Sequence, residues 1–209
     1  MTSDGTQSSS RAALSAVRDL TGLPTVGMEL DGLQVVVAFH LDAGEHERRA
    51  AAGVGAVTST AVLHGLWLIP SEIAVPPGNV PLVKRHRLRG AQGFVENSPR
   101  GFVRLYSPAG TVHSIGVRRR SAIRAIEQTA RFTSIFRRIA LTDGNAPPSD
   151  CAVERARDAG IGLVAISGDE HQQLVRPARP VLGIPAVYRW WVAELAYASW
   201  LQDSTQPVS

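Results

Sequence analysis

The alternation of hydrophobic and polar residues changes its period along the chain, and each period predicts a type of element. Over residues 102–118, two runs with period-two alternation flank the turn Ser107-Pro108-Ala109-Gly110, which predicts two adjacent strands. Ser121 then starts a segment with apolar residues at helical spacing, and the apolar run at 139–141 predicts a buried strand. The order predicted for residues 101–142 is therefore strand, turn, strand, helix, strand.

The N-terminal third has the pattern of a helix, a β-hairpin and a second helix. Helical spacing predicts an amphipathic helix from Ser10 to about Leu20, preceded by a polar segment that we expect to be a disordered arm. Asp31-Gly32 between two apolar-rich runs predicts a hairpin. Residues 50–71 carry no formal charge, but their glycine, serine and threonine content favours a buried helix, or a helix and a strand, over a membrane span.

The predicted fold class is α/β, with a central mixed sheet, flanking helices and an N-terminal helix–hairpin–helix extension. Prolines at 76, 77 and 81 indicate an extended connector and a boundary. Pro185 starts a helix rich in aromatic residues. The predicted segments are a disordered arm (1–10), the N-terminal region (11–75), an α/β domain (80–184) and the C-terminal aromatic helix (185–202).

Composition adds an expectation about the compartment. Cys151 is the single cysteine in 209 residues, so no intramolecular disulfide can form, and a reducing cytoplasm fits this content. The polar N-terminus has no signal-peptide core, so we expect a cytoplasmic protein.

The net charge of +4 conceals a strong segregation of charge along the chain. Residues 84–138 contain 13 Lys or Arg and two acids, a net of +11, while the remainder contains 9 basic and 16 acidic residues, a net of −7. Such segregation predicts a phosphate backbone, DNA or RNA, as partner; the alternative is a solvated basic face, or a basic strand edge at 84–89. The predicted contacts are Lys84, Arg85, Arg87, Arg89, Arg118, Arg119, Arg120, Arg124 and Arg131.

The strand, strand, helix, strand order resembles the PD-(D/E)XK, or restriction-endonuclease-like, superfamily of nucleases over residues 80–180. Residues 150–167 are similar to the family's next helix and strand, and Gln128 and Phe132 resemble the Gln-x-x-x-Tyr element of its RecB-like branch. The resemblance implies a restriction-endonuclease-like core. In the family, a Pro-Asp turn and a following Asp/Glu-x-Lys hold magnesium and position the attacking water.

This chain departs from that motif at the residues that would hold the metal. The matching positions are Ala109 in the turn and Gly116-Val117-Arg118 on the strand. Alanine and glycine offer no oxygen ligand, and arginine cannot serve as a base because its pKa is too high. We therefore expect no metal site, no cofactor and no catalytic residue; if the protein is active, Glu127, Gln128 and Arg118 are the candidates and Mg²⁺ the cofactor.

Three functions follow from these patterns. The leading hypothesis is a nucleic-acid-binding protein with a degenerate nuclease-like fold, acting as a regulator or assembly subunit. The second is a Mg²⁺-dependent nuclease with relocated carboxylates. The third is a protein-interaction or homodimerisation module without nucleic acid and without a membrane, since Trp and Tyr are favoured at interfaces. Its contacts would be Trp190, Trp191, Tyr197 and Trp200.

Overall fold

The computed structural model describes residues 4–71, 73–80, 88, 91–143, 146–181 and 186–205, except for the side chains of residues 4–10, 186 and 205. The chain divides into two compact units, each formed by two stretches of sequence. Unit 1 contains Met1–His40 and Val112–Gly183, and unit 2 contains Leu41–Thr111 and Ile184–Ser209.

The described elements alternate between helices and strands along the chain. The helices are α1 (Asp4–Thr21), α2 (Ala43–Ala52), α3 (Thr60–Trp67), a 3₁₀ turn (Pro77–Asn79), α4 (Ala122–Thr129), α5 (Asp150–Asp158) and α6 (Ala186–Thr205). The strands are β1 (Thr25–Leu30), β2 (Leu33–Leu41), β3 (Val95–Ser98), β4 (Gly101–Arg104), β5 (Gly110–Arg119), β6 (Arg137–Thr142), β7 (Gly162–Ser167) and β8 (Glu170–Val175).

Unit 1 is built on a mixed six-stranded sheet in the order β1-β2-β5-β6-β7-β8. Strands β5, β6 and β7 run parallel, while β1 pairs antiparallel with β2 and β7 antiparallel with β8. Two contacts show that β2 runs antiparallel to β5. The His40 ring lies 6.0 Å from the His113 ring, and the earlier residue Val36 has its carbonyl beside the later residue Gly116. The α/β class with a mixed sheet is confirmed.

Helices cover both faces of this sheet, which explains why its central strands are apolar on both sides. On one face, Ala13, Ala16 and Val17 of α1 pack with Ile139 and Leu141. On the other face, α4 and α5 pack over β6 and β7; the residues in this contact are Ala125, Ile126, Ala140, Ala152, Ala156 and Leu163. We call these the α1 face and the α4/α5 face.

The β1–β2 hairpin forms where the sequence predicts it. Asp31 and Gly32 have φ of 50° and 73°, the left-handed conformations that a two-residue hairpin turn requires. The hairpin belongs to the main sheet, however, and not to a separate N-terminal extension.

Unit 2 packs α2, α3 and α6 around a small two-stranded sheet, β3–β4. Its core contains Leu63, Leu66 and Ile69 together with Phe102 and Tyr106. The uncharged stretch 50–71 forms two helices instead of one, because Gly53 ends α2 at φ 65° and Ser59 caps α3. No helix within the described ranges combines the length and the apolar content needed to cross a bilayer.

The predicted pairing of residues 102–107 with 112–118 is wrong. Strand β4 pairs with β3 in unit 2, and β5 lies between β2 and β6 in unit 1. Period-two alternation identifies a strand but does not identify its partner. Residues 114–117 of β5 are all buried, so this strand takes a central place with neighbours on both sides.

The division into units also differs from the predicted boundaries. Helix α1 begins at Asp4, inside the expected arm, and the chain passes between units at 40/41, 111/112 and 183/184 and not near residue 80. The proline-rich connector at 76–81 lies within unit 2. Its prolines therefore do not mark a boundary between the units.

Candidate nucleic-acid interface

The predicted arginines of unit 1 cluster at the carboxyl end of β5 and along α4. Arg118 and Arg119 end β5, Arg120 follows, and the Ser121 side chain caps α4 by accepting a hydrogen bond from the Arg124 amide at 3.4 Å. The carboxyl ends of strands are the usual ligand side of an open α/β sheet. The local sequence thus places a basic turn at that edge.

The register of β5 sends its two terminal arginines to opposite faces. Arg118 lies beside Leu141, which packs on the α1 face, and Arg119 lies beside Thr142 on the α4/α5 face. The Thr142 hydroxyl donates to the Arg120 carbonyl at 3.0 Å, which holds the turn in place. The predicted arginines are therefore distributed over two surfaces.

Arg118 is already engaged within unit 1. Its guanidinium forms a short ion pair with the carboxylate of Asp143, just after β6, and each side chain is 23% exposed. Asp143 thus competes with any phosphate for this cation. Local sequence patterns do not indicate this pairing, because the two residues are 25 positions apart.

Three arginines of the segment 118–131 remain open to ligands. Arg120, Arg124 and Arg131 are exposed, and no ion pair engages them within the described part of the chain. Arg119 is half-buried and donates to the Arg118 carbonyl at 2.6 Å. Lys84, Arg85, Arg87 and Arg89, which complete the predicted set, lie outside the described residues.

The candidates for a relocated active site do not come together. Glu127 is exposed on α4 and accepts a hydrogen bond from Arg155 of α5 at 3.0 Å. Gln128 is half-buried, and its Oε1 has no partner among the described residues. Arg118 points to the opposite face of the sheet. No three His, Cys, Asp or Glu side chains in the described ranges are grouped as metal ligands would be.

The aromatic helix α6 contributes to the core of unit 2, which removes Tyr197 from the predicted partner surface but leaves its three tryptophans half-buried. Tyr197 is 1% exposed and its hydroxyl lies 2.9 Å from Nδ1 of His46. Trp190 and Trp191 pack partly against the core of unit 2, and Trp191 donates to the Thr58 carbonyl at 3.1 Å. Trp200 is half-buried beside the His46 ring. Tyr197 is therefore unable to contact a partner.

A buried ion pair that the sequence analysis missed ties α6 to α2. Arg49 and Glu194 have fully buried side chains joined by two hydrogen bonds of 2.8 Å. Glu194 also accepts from the Val57 amide at 2.7 Å and the Tyr106 hydroxyl at 3.0 Å, and Arg49 donates to Glu45 at 2.7 Å. The available signal was Glu194 itself, the single acid between residues 186 and 202.

This network shifts the pKa of its members in directions set by burial and charge. Burial alone would raise the pKa of Glu45, but hydrogen bonds from Arg48 and Arg49 hold it below its ordinary value. Burial opposes the charged form of Arg49, yet its pairing with Glu194 raises the Arg49 pKa. Burial and the Glu194 charge raise the pKa of Tyr106, so its hydroxyl remains a hydrogen-bond donor.

Comparison of this chain with protein-family models, with curated proteins and with solved structures gave no significant match.

Proposed function

We propose that this protein binds nucleic acid through unit 1, on a catalytically degenerate nuclease-like fold, and acts as a regulator or assembly subunit. The observation that carries the proposal is the basic segment 118–131, which has five arginines and one acid. That acid, Glu127, is paired with Arg155, so Arg120, Arg124 and Arg131 present unopposed charge. Exposed arginines without a paired acid suit a polyanionic backbone.

The topology of unit 1 supports the nuclease-like part of the proposal. The strand, strand, helix, strand order that carries the resemblance is present as β2, β5, α4 and β6, with β2 in place of residues 102–107. Residues 41–111, which form most of unit 2, are then an insertion between the first two strands of this arrangement.

The environment of Gly116 supports the loss of catalysis. Gly116 occupies the position where the resemblance expects a metal-binding carboxylate. A Cβ atom at this position would lie 3.2 Å from Leu141 Cδ1, which is tighter than ordinary packing. A carboxylate side chain would therefore have to displace the core on the α1 face. Arg118, two positions further along β5, is engaged by the carboxylate of Asp143.

The first experiment measures the salt dependence of binding. In fluorescence anisotropy with a labelled oligonucleotide, we expect the double variant Arg124→Gln/Arg131→Gln to reduce the slope of log K against log salt by about 2, because each phosphate contact contributes about 1. The matched control is Arg11→Gln/Arg18→Gln, which removes the same charge from exposed positions of α1.

Two outcomes would contradict the proposal. Affinity that does not change with salt would exclude backbone binding, and an equal slope change in the control would show that only net charge matters. Incubation with Mg²⁺ or Mn²⁺ tests the nuclease alternative: cleavage by the wild-type protein that is lost in Glu127→Ala or Gln128→Ala would favour it over a degenerate fold.

A further inference from the structure

Unit 1 contains a cavity at the carboxyl end of β7 that the proposed backbone contacts do not use. Its volume is about 270 Å³. One part of its wall is apolar and is formed by Pro147, Ala165 and Ile166. The other part is polar and includes Ser167, Glu170 and Gln172.

The sheet register places one wall of this cavity, Ala165 and Gln172, in line with the basic turn, whereas Ile166 and its register partner His171 line the cavity from the α1 face. Arg119 pairs with Thr142, Thr142 with Ala165, and Ala165 with Gln172, so these four residues form one row across β5, β6, β7 and β8. Register partners share a face of the sheet, and neighbouring strands lie about 4.8 Å apart. The Cα of Ala165 is therefore about 10 Å from that of Arg119, on the same α4/α5 face.

The lining of the cavity suits a nucleobase better than a phosphate. Pro147, Ala165 and Ile166 offer apolar surface to a flat ring, while the Glu170 carboxylate and the Gln172 amide oxygen accept hydrogen bonds from amino groups on a base edge. The Glu170 charge would repel a phosphate.

His171 also lines the cavity, and its Nδ1 lies 3.9 Å from the carboxylate of Asp19; Asp169 precedes Glu170 in the chain. A phosphate attached to the bound nucleotide would contact Arg119, at the other end of the row, or Arg120 next to it. Both arginines lie away from these carboxylates.

We propose that the cavity receives one unpaired nucleobase of a single-stranded nucleic acid whose flanking phosphate lies on the Arg119–Arg120 turn. This inference rests on the proposed function and makes it more specific. A base inside a duplex is stacked and paired, so its edge and faces cannot enter a cavity, whereas a single strand presents both. The site would thus make unit 1 prefer single strands over duplexes.

Gln172 and Gln173 provide a matched pair of variants. Both side chains are exposed and adjacent on β8, but only Gln172 lines the cavity. We expect Gln172→Trp, which fills the cavity, to weaken binding of a labelled 12-nucleotide cytosine strand by roughly tenfold, the size of one good base contact. Duplex affinity should stay unchanged, and Gln173→Trp should alter neither.

A second measurement needs no variant. On the wild-type protein, cytidine 5′-monophosphate should displace the labelled strand better than cytidine or ribose 5-phosphate. Only the nucleotide has both a base for the cavity and a phosphate for the Arg119–Arg120 turn. An abasic nucleotide in the strand should weaken binding as Gln172→Trp does.

The outcomes separate the two proposals. If duplex and single strand bind equally and both variants behave as wild type, the cavity proposal fails while nucleic-acid binding stands. If the wild-type protein binds no oligonucleotide at low salt, both fail. Competition by putrescine that Gln172→Trp abolishes, with no competition by the nucleotide, would assign the cavity to small cations and overturn the inference.

Discussion

The two units use ion pairs in different ways. In unit 1, Arg155 and Glu127 meet at the surface with side chains that are 52% and 50% exposed. In unit 2, Arg49 and Glu194 are both fully buried. An exposed pair contributes little to stability because water solvates either partner alone, whereas a buried pair cannot lose one member without leaving an unsolvated charge. The exposed pair thus leaves its charges accessible to a ligand, whereas the buried pair is structural.

The surroundings of Arg49 strengthen this contrast. Its guanidinium carbon lies 4.9 Å, 5.4 Å and 5.3 Å from the ring centroids of Phe94, Tyr106 and Tyr197. Aromatic faces attract a desolvated cation, so the whole site is built around a charged arginine. Because the site joins α2 to α6, it holds together the two stretches of sequence that make up unit 2.

The largest expected effect comes from breaking the buried pair. We expect Glu194→Leu to lower the free energy of unfolding of unit 2 by about 3–5 kcal/mol, because it leaves Arg49 buried without its main counter-charge. Tryptophan fluorescence during urea unfolding measures this, since all four tryptophans belong to unit 2.

The control is the double variant Arg49→Met/Glu194→Leu, which removes both charges. It should recover part of the loss, since an apolar pair of similar volume replaces a buried ion pair at small cost. If Glu194→Leu lowers the free energy of unfolding by less than about 1 kcal/mol, the buried pair contributes no more than a surface pair, and the contrast between the two pairs is refuted.

Protonation of Glu45 at acid pH should weaken the same network and destabilise unit 2. Since the pKa of Glu45 is lowered in the folded state, its pairing with Arg48 and Arg49 stabilises unit 2 above the ordinary carboxyl pKa of about 4.3. This contribution is lost as the pH falls through the lowered folded value. We expect Glu45→Gln to make unit 2 less stable at pH 7 but to reduce its acid sensitivity. An unchanged acid profile by tryptophan fluorescence would contradict this.

Unit 1 should respond to a milder acid through His113. Burial lowers the pKa of His113, and the charge of Arg137 lowers it further, so folding favours the neutral ring. Its stabilising contribution is complete above the unfolded pKa of about 6.5 and is lost as the pH falls from there toward the folded value.

Because unit 1 contains no tryptophan or tyrosine, the expected signature is a change in thermal unfolding by circular dichroism between pH 7 and pH 5 without a change in fluorescence. His113→Gln should remove this difference. Fluorescence and circular dichroism that shift together over this pH range would refute the assignment to His113.

The sequence predicted those features that depend on neighbouring residues. The α/β class follows from the period of hydrophobicity, and the β1–β2 turn follows from Asp31-Gly32, whose φ angles are set locally. The partner of β4 and the assembly of unit 2 from two distant stretches depend on contacts that no local pattern encodes.

In the candidate site, too, the sequence predicted local features but not contacts between distant residues. Segment 118–131 is basic in the sequence and mostly exposed in the structure, so its composition was informative. The separation of Arg118 from Arg119 and the engagement of Arg118 by Asp143 are set by the register of β5 with β6, which spacing alone does not give.

The smallest effect on stability should give the sharpest test of the interface. Glu127→Gln and Asp143→Asn each remove one negative charge, and we expect each to cost about 1 kcal/mol or less, with the less exposed Asp143 pair costing more. Glu127 lies on α4 near Arg124, and its loss also frees Arg155, whereas Asp143 neutralises Arg118 on the α1 face.

If nucleic acid binds the α4/α5 face, anisotropy at low salt should show a greater gain of affinity for Glu127→Gln than for Asp143→Asn, because the charge removed lies nearer to the bound phosphates. Equal gains would show that only net charge matters. A greater gain for Asp143→Asn would move the interface to the opposite face of the sheet, where Arg118 lies.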